Sequence, residues 1–244
     1  MLNKIFSIDS AKAIKAQSFG YLNAIHYMAP ASMSGVNLCP HASPACIAAC
    51  LGWTSGQAGM VANDADLNSV RKSRIQKAKR FMSDRQAYLD DVIKSIHKAQ
   101  AQARKLGMKL CIRLNGSTDI SWEGIRLNNG SGLNLFQLFP EVQFVDYTKS
   151  KRRALAHARG FLPKNYHLTF SRSEVNEADC LDVLSEGGNV AVVFAVKPET
   201  FKGSPVVDGD THDLRHLDPK GGYVIALSPK GLKAKKETSG FVVR

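Results

Sequence analysis

The sequence predicts an α/β fold, either a partial (β/α)6-like barrel or an open, mostly parallel sheet, with residues 1–244 forming one domain. Short, nearly continuous apolar runs alternate with helix-like segments in the second half of the chain, a pattern typical of parallel strands covered by helices. The length of 244 residues and the hydrophobic content of 44% suit a single α/β unit. No internal repeat or low-complexity linker divides the chain.

The first half of the chain predicts one strand, one long loop and two helices. Aromatic and apolar residues in Ser18–Met28 predict the first strand. Residues 30–60, called the cysteine loop below, follow it and are rich in proline and glycine. A helix is predicted over about Asp64–Phe81. A second helix opens at a capping box, Ser83-Asp84-Arg85-Gln86, and Gly107 is placed to end it.

The second half alternates between strands and helices. The predicted strands are Met108–Leu114, Val142–Tyr147, Tyr166–Phe170, Val190–Val196 and Tyr223–Leu227. The helix-like segments between them are Asn134–Phe139, Lys151–Ala158 and Val175–Leu184. With the first strand, these segments make about six β/α units.

Three of the five cysteines, Cys39, Cys46 and Cys50, share the cysteine loop. Thiolates bind soft metals, and in a reducing compartment clustered cysteines more often bind metal than form disulfides. The spacing C-x6-C-x3-C differs from zinc sites built on C-x2-C pairs, and three thiols leave one ligand position open. The pattern predicts a [4Fe–4S] cluster, with zinc as the alternative metal. Free structural thiols or a disulfide are the other interpretation. Cys111 and Cys180 are expected in the packed core.

Polar residues follow the carboxyl ends of several predicted strands, where parallel α/β folds place their active sites. They predict a binding site for a small anion. The candidate substrate-binding residues are Arg113, Asn115, Asp119, Lys149, Arg172 and Asp210. A structural salt bridge from Arg113 to a nearby aspartate is an equal interpretation. Lys149 and Arg172 suit a carboxylate or phosphate ligand, or are ordinary surface residues. The sequence assigns no catalytic residue.

The net charge of +12 favours polyanionic partners. Much of the excess lies in Arg71–Arg80, Lys149–Arg159 and Lys230–Lys236, and residues 230–244 are predicted to form a basic C-terminal tail. Nucleic acid and phosphate-bearing small molecules are both predicted partners. The alternative is that these segments are solvated helix faces, because no aromatic-rich nucleic-acid motif accompanies the charge.

Two resemblances follow from these motifs. The run Cys39-Pro40-x-Ala42-Ser43-x-x-Cys46-x-x-x-Cys50-Leu51, with Arg113-Leu114-Asn115-Gly116 and Asp146-Tyr147-Thr148-Lys149, resembles a family of uncharacterised bacteriophage and plasmid proteins. A strand followed by a three-cysteine loop and a β/α series is similar to radical S-adenosylmethionine enzymes. That resemblance implies a [4Fe–4S] cluster on the three cysteines and S-adenosylmethionine as the molecule bound to its fourth iron. The superfamily's usual spacing, C-x3-C-x2-C, differs from the spacing here, and Asn115-Gly116-Ser117 stands in place of its Gly-Gly-Glu motif.

Two functions compete on this sequence. The first is a radical-SAM-like iron–sulfur enzyme acting on a small anionic substrate. The second is a nucleic-acid-binding protein with a structural iron–sulfur or zinc site. Met1–Gln17 has no continuous apolar segment, and no stretch approaches the ~20 apolar residues that a membrane helix needs. The expected location is therefore the cytoplasm, that of the host if a phage encodes the protein, without contact with a membrane.

Overall fold

The computed structural model describes residues 4–128 and 130–244, so residues 1–3 and 129 of the predicted domain lie outside it. The described strands are β1 (Phe6–Ser7), β2 (Tyr21–His26), β3 (Lys109–Arg113), β4 (Gln143–Thr148), β5 (Tyr166–Ser171), β6 (Val190–Phe194), β7 (Thr200–Phe201), β8 (Ser204–Asp208), β9 (Val224–Leu227) and β10 (Val242–Val243).

The described α-helices are α1 (Ala11–Lys15), α2 (Pro44–Ala48), α3 (Leu51–Thr54), α4 (Ser69–Ser83), α5 (Arg85–Lys105), α6 (Leu135–Leu138), α7 (Lys151–Ala158), α8 (Glu177–Ser185) and α9 (Leu232–Lys235). Short 3₁₀ helices lie at Ala16–Phe19, Gly56–Gly59, Trp122–Gly124 and Arg215–Leu217. Within these residues, no helix combines the length and apolar character needed to cross a membrane.

The strands form one mixed, mostly parallel sheet in the order β1-β2-β3-β4-β5-β6-β9-β8-β7, with β10 paired to β6. Strands β2 to β6 are parallel neighbours in chain order, as in a β/α barrel. The sheet stays open: its path begins at β1, which is antiparallel to β2, and ends at β7, which is antiparallel to β8. The α/β fold class is confirmed, and of the two predicted architectures the open sheet is the one observed.

The larger helices cover one face of the sheet. On β5, Tyr166 and Leu168 belong to the core cluster that contains residues of α4 and α5, while Phe170 belongs to the cluster that contains residues of α7 and α8. These three side chains are two positions apart along the strand and therefore point to the same face of the sheet. The opposite face packs Cys111 against Ala16 and loop residue Leu214. This second face is left for loops and for the candidate site.

The predicted strands and helices of the second half are confirmed to within one or two residues at most ends. The capping box is wrong: Ser83 still belongs to α4, and Asp84 caps α5 by accepting a hydrogen bond from Ala87 N–H at 3.3 Å. The carboxylate of Asp84 competes successfully with the Ser83 hydroxyl one residue earlier. Gly107 follows the last residues of α5 with φ of +64°, as predicted for its end.

Residues 230–244, predicted as a basic tail, return to the sheet. Helix α9 lies here, and β10 extends the sheet beside the carboxyl half of β6, beyond the residues that β5 occupies. The guanidinium of Arg172 donates to the Gly240 carbonyl at 2.8 Å and so fixes this segment near the end of β5. The segment therefore forms part of the wall of the site described next.

Candidate metal centre

A cavity of about 230 Å³ opens at the carboxyl edge of the parallel strands, and the three clustered cysteines line it. Its other walls are the turn after β3, the residues after β4 and the segment from Leu227 to Phe241. We call this space the cysteine cavity. The sequence placed the cysteine loop and the polar strand ends at one edge of the sheet, and the structure brings them together there.

Two short helices set the positions of Cys46 and Cys50. Ser43 caps α2, and its hydroxyl accepts a hydrogen bond from Cys46 N–H at 3.3 Å. The same hydroxyl donates to Glu174 Oε2 at 2.7 Å, while Glu174 Oε1 accepts from Ala45 N–H at 3.0 Å. Cys50 then precedes α3. The carboxylate after β5 thus holds the cysteine-bearing helix over the sheet edge.

N–H groups lie close to the cysteine sulfurs. Ala31 N–H donates to Cys39 Sγ at 3.3 Å. Lys149 lowers the pKa of Cys46, and the backbone N–H groups of Gly52 and Trp53 lower that of Cys50, each against the larger effect of burial. Such donors stabilise negative charge on sulfur and tune the reduction potential of iron–sulfur clusters.

The three thiols are free and half-buried, and their charged forms are unfavourable without a cation. Burial, with smaller contributions from negative charge on Cys50, Asp119 and Cys46, raises the pKa of Cys39 to about 12. Burial likewise raises the pKa of Cys50 to about 11 and raises that of Cys46, where Lys149 opposes the shift. Three thiols near enough to influence one another therefore need a positive partner to ionise together.

Three soft thiols line the cysteine cavity. Within residues 4–128 and 130–244, no group of three or more His, Cys, Asp or Glu side chains is close enough to hold one metal ion. A [4Fe–4S] cluster places each thiolate on a different iron, so its ligands need not converge on one point. The donor set of three soft thiols with N–H donors around them fits that group.

Two arginines of α4, which the sequence had placed in a basic segment, instead hold the cysteine loop. Arg71 is 1% exposed and donates to the carbonyls of Trp53, Ala58, Asp64 and Asp66 at distances of 2.6 to 2.9 Å. Arg74 donates to the Gly52 carbonyl. One feature of the sequence hints at this role: α4 contains no aspartate or glutamate that could pair with these arginines. It is a weak signal in a sequence.

Glycine is required at position 52 because the cysteine loop crosses the turn after β3 there. A Cβ atom on Gly52 would overlap the Cβ of Ser117. The Ser117 hydroxyl in turn donates to the Met28 carbonyl at 2.6 Å, and its carbonyl accepts from the Cys39 thiol at 3.6 Å. This crossing fixes the distance between α3 and the sheet.

Arg113 lines the cysteine cavity, and among the described residues no salt bridge joins it to Asp119, Asp146 or Asp208. Its guanidinium stacks over the Tyr147 ring, 4.7 Å from the centroid, and Nε donates to the Asn115 carbonyl at 3.3 Å. Burial opposes its charge, yet Tyr147, Asp213 and Asp146 together raise its pKa. Arg113 therefore stays a cation at the cavity wall.

Asn115 and Asp119 also line the cavity, with their polar atoms bound to the protein. The Asn115 side chain donates to the Ile120 carbonyl at 2.9 Å and to Asp146 Oδ2 at 3.2 Å, and accepts from Trp122 Nε1 at 3.2 Å. Asp119 accepts from Lys149 N–H at 2.9 Å. These residues shape the turn that faces the cysteines.

Behind this turn lies a buried ion-pair network centred on Arg153, which is 3% exposed. Arg153 contacts both oxygens of Glu123 at 2.6 and 2.9 Å and Oδ1 of Asp119 at 2.6 Å. It also donates to Tyr166 Oη at 3.0 Å, and this hydroxyl donates to Asp146 at 3.1 Å. Burial raises the pKa of Asp146 to about 7. We call these groups the Arg153 network.

Of the remaining predicted residues, one lies at the cavity and two do not. The Lys149 ammonium reaches into the cavity, where it donates to Ser171 Oγ at 2.7 Å and lies 5.6 Å from the centre of the Phe241 ring. Arg172 and Asp210 are not among the residues that line the cavity. Arg172 holds the 240–241 segment, and Asp210 pairs with Lys197 at 2.8 Å and Lys230 at 2.9 Å.

Many charges of the three basic segments are paired inside the chain. Ion pairs join Arg80 to Asp91, Lys151 to Asp179 and Asp182, Arg153 to Asp119 and Glu123, Arg159 to Glu186, Lys230 to Asp210 and Lys233 to Asp64. The net charge of +12 is the excess of lysine and arginine over aspartate and glutamate, and these pairs do not remove it.

Comparison with known proteins gives one match. The family model described as Gene product 88 matches residues 4–244, nearly the whole chain. The match fits a phage-type protein family, as the resemblance of the sequence implied. No curated protein and no solved structure matches this chain.

Proposed function

This chain belongs to the gene product 88 family, and we propose that it is an iron–sulfur protein that holds a [4Fe–4S] cluster on Cys39, Cys46 and Cys50. The observation that carries the proposal is that three half-buried thiols line one cavity, where Ala31 N–H donates to Cys39 and Lys149 favours the charged form of Cys46. When bound, such a cluster supplies single electrons and an iron with an open ligand position.

The residues around the thiols support chemistry on a small anionic substrate. Lys149 and Arg113 place two cations on the cavity wall, and the turn Asn115–Asp119 faces the cysteines across the cavity. The resemblance to radical S-adenosylmethionine enzymes makes S-adenosylmethionine the proposed co-substrate. The residues that would face it are Gly116, Ser117 and Thr118, which follow β3 and line the same cavity.

The experiment is anaerobic purification followed by reconstitution with ferrous iron and sulfide. We expect a brown protein with broad absorbance near ~400 nm, and about four irons per chain. Replacement of Cys39, Cys46 or Cys50 by alanine should reduce the iron content to background. The matched controls are Cys111→Ala and Cys180→Ala, because both thiols are buried away from the cavity and should keep the cluster.

A colourless protein containing one zinc per chain would contradict the cluster and favour the zinc alternative. Equal loss of iron in all five cysteine variants would show that the cysteine loop has no special role. Added S-adenosylmethionine should change the electron paramagnetic resonance spectrum of the reduced protein, and reductive cleavage of the cofactor tests the radical chemistry separately. The nucleic-acid alternative draws its support from the net charge of +12.

A further inference from the structure

A second cavity, of about 540 Å³, lies beside the cysteine cavity and is lined by cations without any acidic residue. Five lysines and arginines line it: Lys4, which pairs with Asp9 at 3.3 Å, Lys230, which pairs with Asp210 at 2.9 Å, and Arg74, Lys77 and Arg113. Among the described residues that line it there is no aspartate or glutamate. We call this space the basic cavity. It shares Leu51, Gly52, Arg113, Gly116 and Lys230 with the wall of the cysteine cavity.

Arg74 and Lys77 are half-buried at this cavity, and among the described residues neither has a recorded carboxylate partner. In the part of the chain that the structure describes, the Lys77 ammonium donates to one carbonyl, that of Ile5, at 3.3 Å. Arg74 donates to the Gly52 carbonyl and stacks over the Tyr27 ring at 4.6 Å. Burial lowers the pKa of Lys77 to about 8, with Arg74 adding to the shift, and burial also lowers the pKa of Arg74. A buried cation without an anion is costly, which indicates that an anion from outside completes the site.

One face of α4 supplies hydroxyl groups beside these cations. Ser69, Ser73 and Lys77 are spaced four residues apart and all line the basic cavity, as does Arg74 one residue after Ser73. Residues at this spacing stack along one side of a helix, so the hydroxyls and the ammonium form a continuous row. Lysine, arginine and serine side chains together are typical donors to phosphate oxygens.

We propose that the basic cavity binds a small molecule that carries a phosphate or diphosphate group. The volume of about 540 Å³ lies within the ~300–1,000 Å³ typical of small-molecule sites, and a recess of this size suits a compact ligand better than an extended polymer. This site goes beyond the proposed cluster and does not depend on it, since no cysteine lines the basic cavity.

The test is isothermal titration calorimetry with sodium pyrophosphate on the Cys46→Ala variant, at constant ionic strength. This variant separates the proposal from the cluster, because it is expected to hold no iron. We expect one pyrophosphate per chain, and at least about tenfold weaker binding after Lys77→Met. Lys77→Arg should restore most of the affinity. Lys72→Met is the matched control: it removes an equal charge from an exposed position of the same helix and should change the affinity less than about twofold.

Three outcomes would overturn the proposal. The first is no binding of pyrophosphate at millimolar concentration by a protein with a native circular dichroism spectrum. The second is equal weakening by Lys77→Met and Lys72→Met, which would mean that net charge alone attracts the anion. The third is a single-stranded oligonucleotide that displaces pyrophosphate and binds more tightly than it, which would assign the cavity to a polymer.

Discussion

Arg153 on α7 and Lys77 on α4 are both cations largely removed from water, but their surroundings are opposite. Arg153 is 3% exposed and contacts the carboxylates of Glu123 and Asp119 directly. Lys77 faces a cavity lined by Arg74 and other cations, and its described hydrogen-bond partner is the carbonyl of Ile5. The fold neutralises the first cation itself, whereas among the described residues no carboxylate pairs with the second.

This difference separates a cation that stabilises the fold from a cation that is available to bind a ligand. A buried cation with its own carboxylates holds the polypeptide together, and removing it leaves unpaired negative charge. A buried cation without carboxylates lowers the stability of the folded state, and such a cost is tolerated where it serves function. Removing the two cations should therefore change the stability of the protein in opposite directions.

The largest expected effect on stability comes from replacing Arg153. Arg153→Met should destabilise the protein by about 3–5 kcal/mol, because Glu123 and Asp119 would stay buried without their partner. Urea denaturation measures the change. Arg159→Met, which breaks the exposed pair with Glu186 near the end of the same helix, is the control and should leave the midpoint nearly unchanged. Similar urea midpoints for the two variants would show that the Arg153 network does not stabilise the fold.

Replacing Lys77 should have the opposite effect and increase the free energy of unfolding. The pKa of Lys77 falls from 10.5 to about 8 on folding, so the unfolded chain binds more protons between these pH values and wild-type stability rises with pH across that window. At pH 7, in phosphate-free buffer, Lys77→Met should stabilise the protein by about 2 kcal/mol, and this gain should shrink above pH 8.

Arg74 acts on Lys77 most directly, and Lys77 in turn acts on the buried His26. The other charged residues that line the cavity are Arg113, Lys4, which pairs with Asp9, and Lys230, which pairs with Asp210. Lys72→Met, at an exposed position of α4, is the control and should show no such pH dependence. Destabilisation by Lys77→Met at pH 7 would mean that Lys77 has a structural anion, and the contrast with Arg153 would fail.

A third change tests the wall between the two cavities. Gly52→Ala should cost about 1–3 kcal/mol, because the new methyl group overlaps Ser117 where the cysteine loop crosses the turn after β3. It should also lower the iron content after reconstitution, since α3 and Cys50 would shift. Gly124→Ala is the control, because a Cβ there meets no atom within 4 Å. Normal iron content in the Gly52 variant would show that the crossing does not position Cys50.

The smallest effect is expected at Lys149, a cation that faces the cysteine cavity. Lys149→Met should change stability by less than about 1 kcal/mol, because its partner Ser171 is neutral. In the reconstituted protein it should move the reduction potential to a more negative value, since Cys46 loses a hydrogen-bond donor. Protein-film voltammetry measures this, with the exposed Lys164→Met as control. An unchanged potential would show that Lys149 does not act on the sulfur.

The sequence predicted the scaffold well, because apolar periodicity reports the strands and helices that face one core. It also placed Cys39, Cys46 and Cys50 with Arg113, Asn115, Asp119 and Lys149 at one edge of the sheet. It could not show that Asn115 and Asp119 use their polar atoms inside the protein, or that Arg172 and Asp210 lie outside the cavity, because these depend on contacts between residues about 30 or more positions apart. It interpreted Arg71 and Arg74 only as parts of a basic segment, because their carbonyl partners Trp53 and Gly52 lie 18 and 22 positions away in the cysteine loop.

The contact between Ser43 and Glu174 has a consequence for the order in which the molecule folds. Strands β2 to β6 pair with neighbours in chain order, so the sheet can grow one β/α unit at a time. The hydrogen bond from Ser43 to Glu174 instead joins residues 131 positions apart. Closing so long a loop costs conformational entropy, and this cost is offset only once the sheet has formed. The cysteine-bearing helix should therefore dock late, and any metal would load onto a nearly finished protein rather than nucleate its folding.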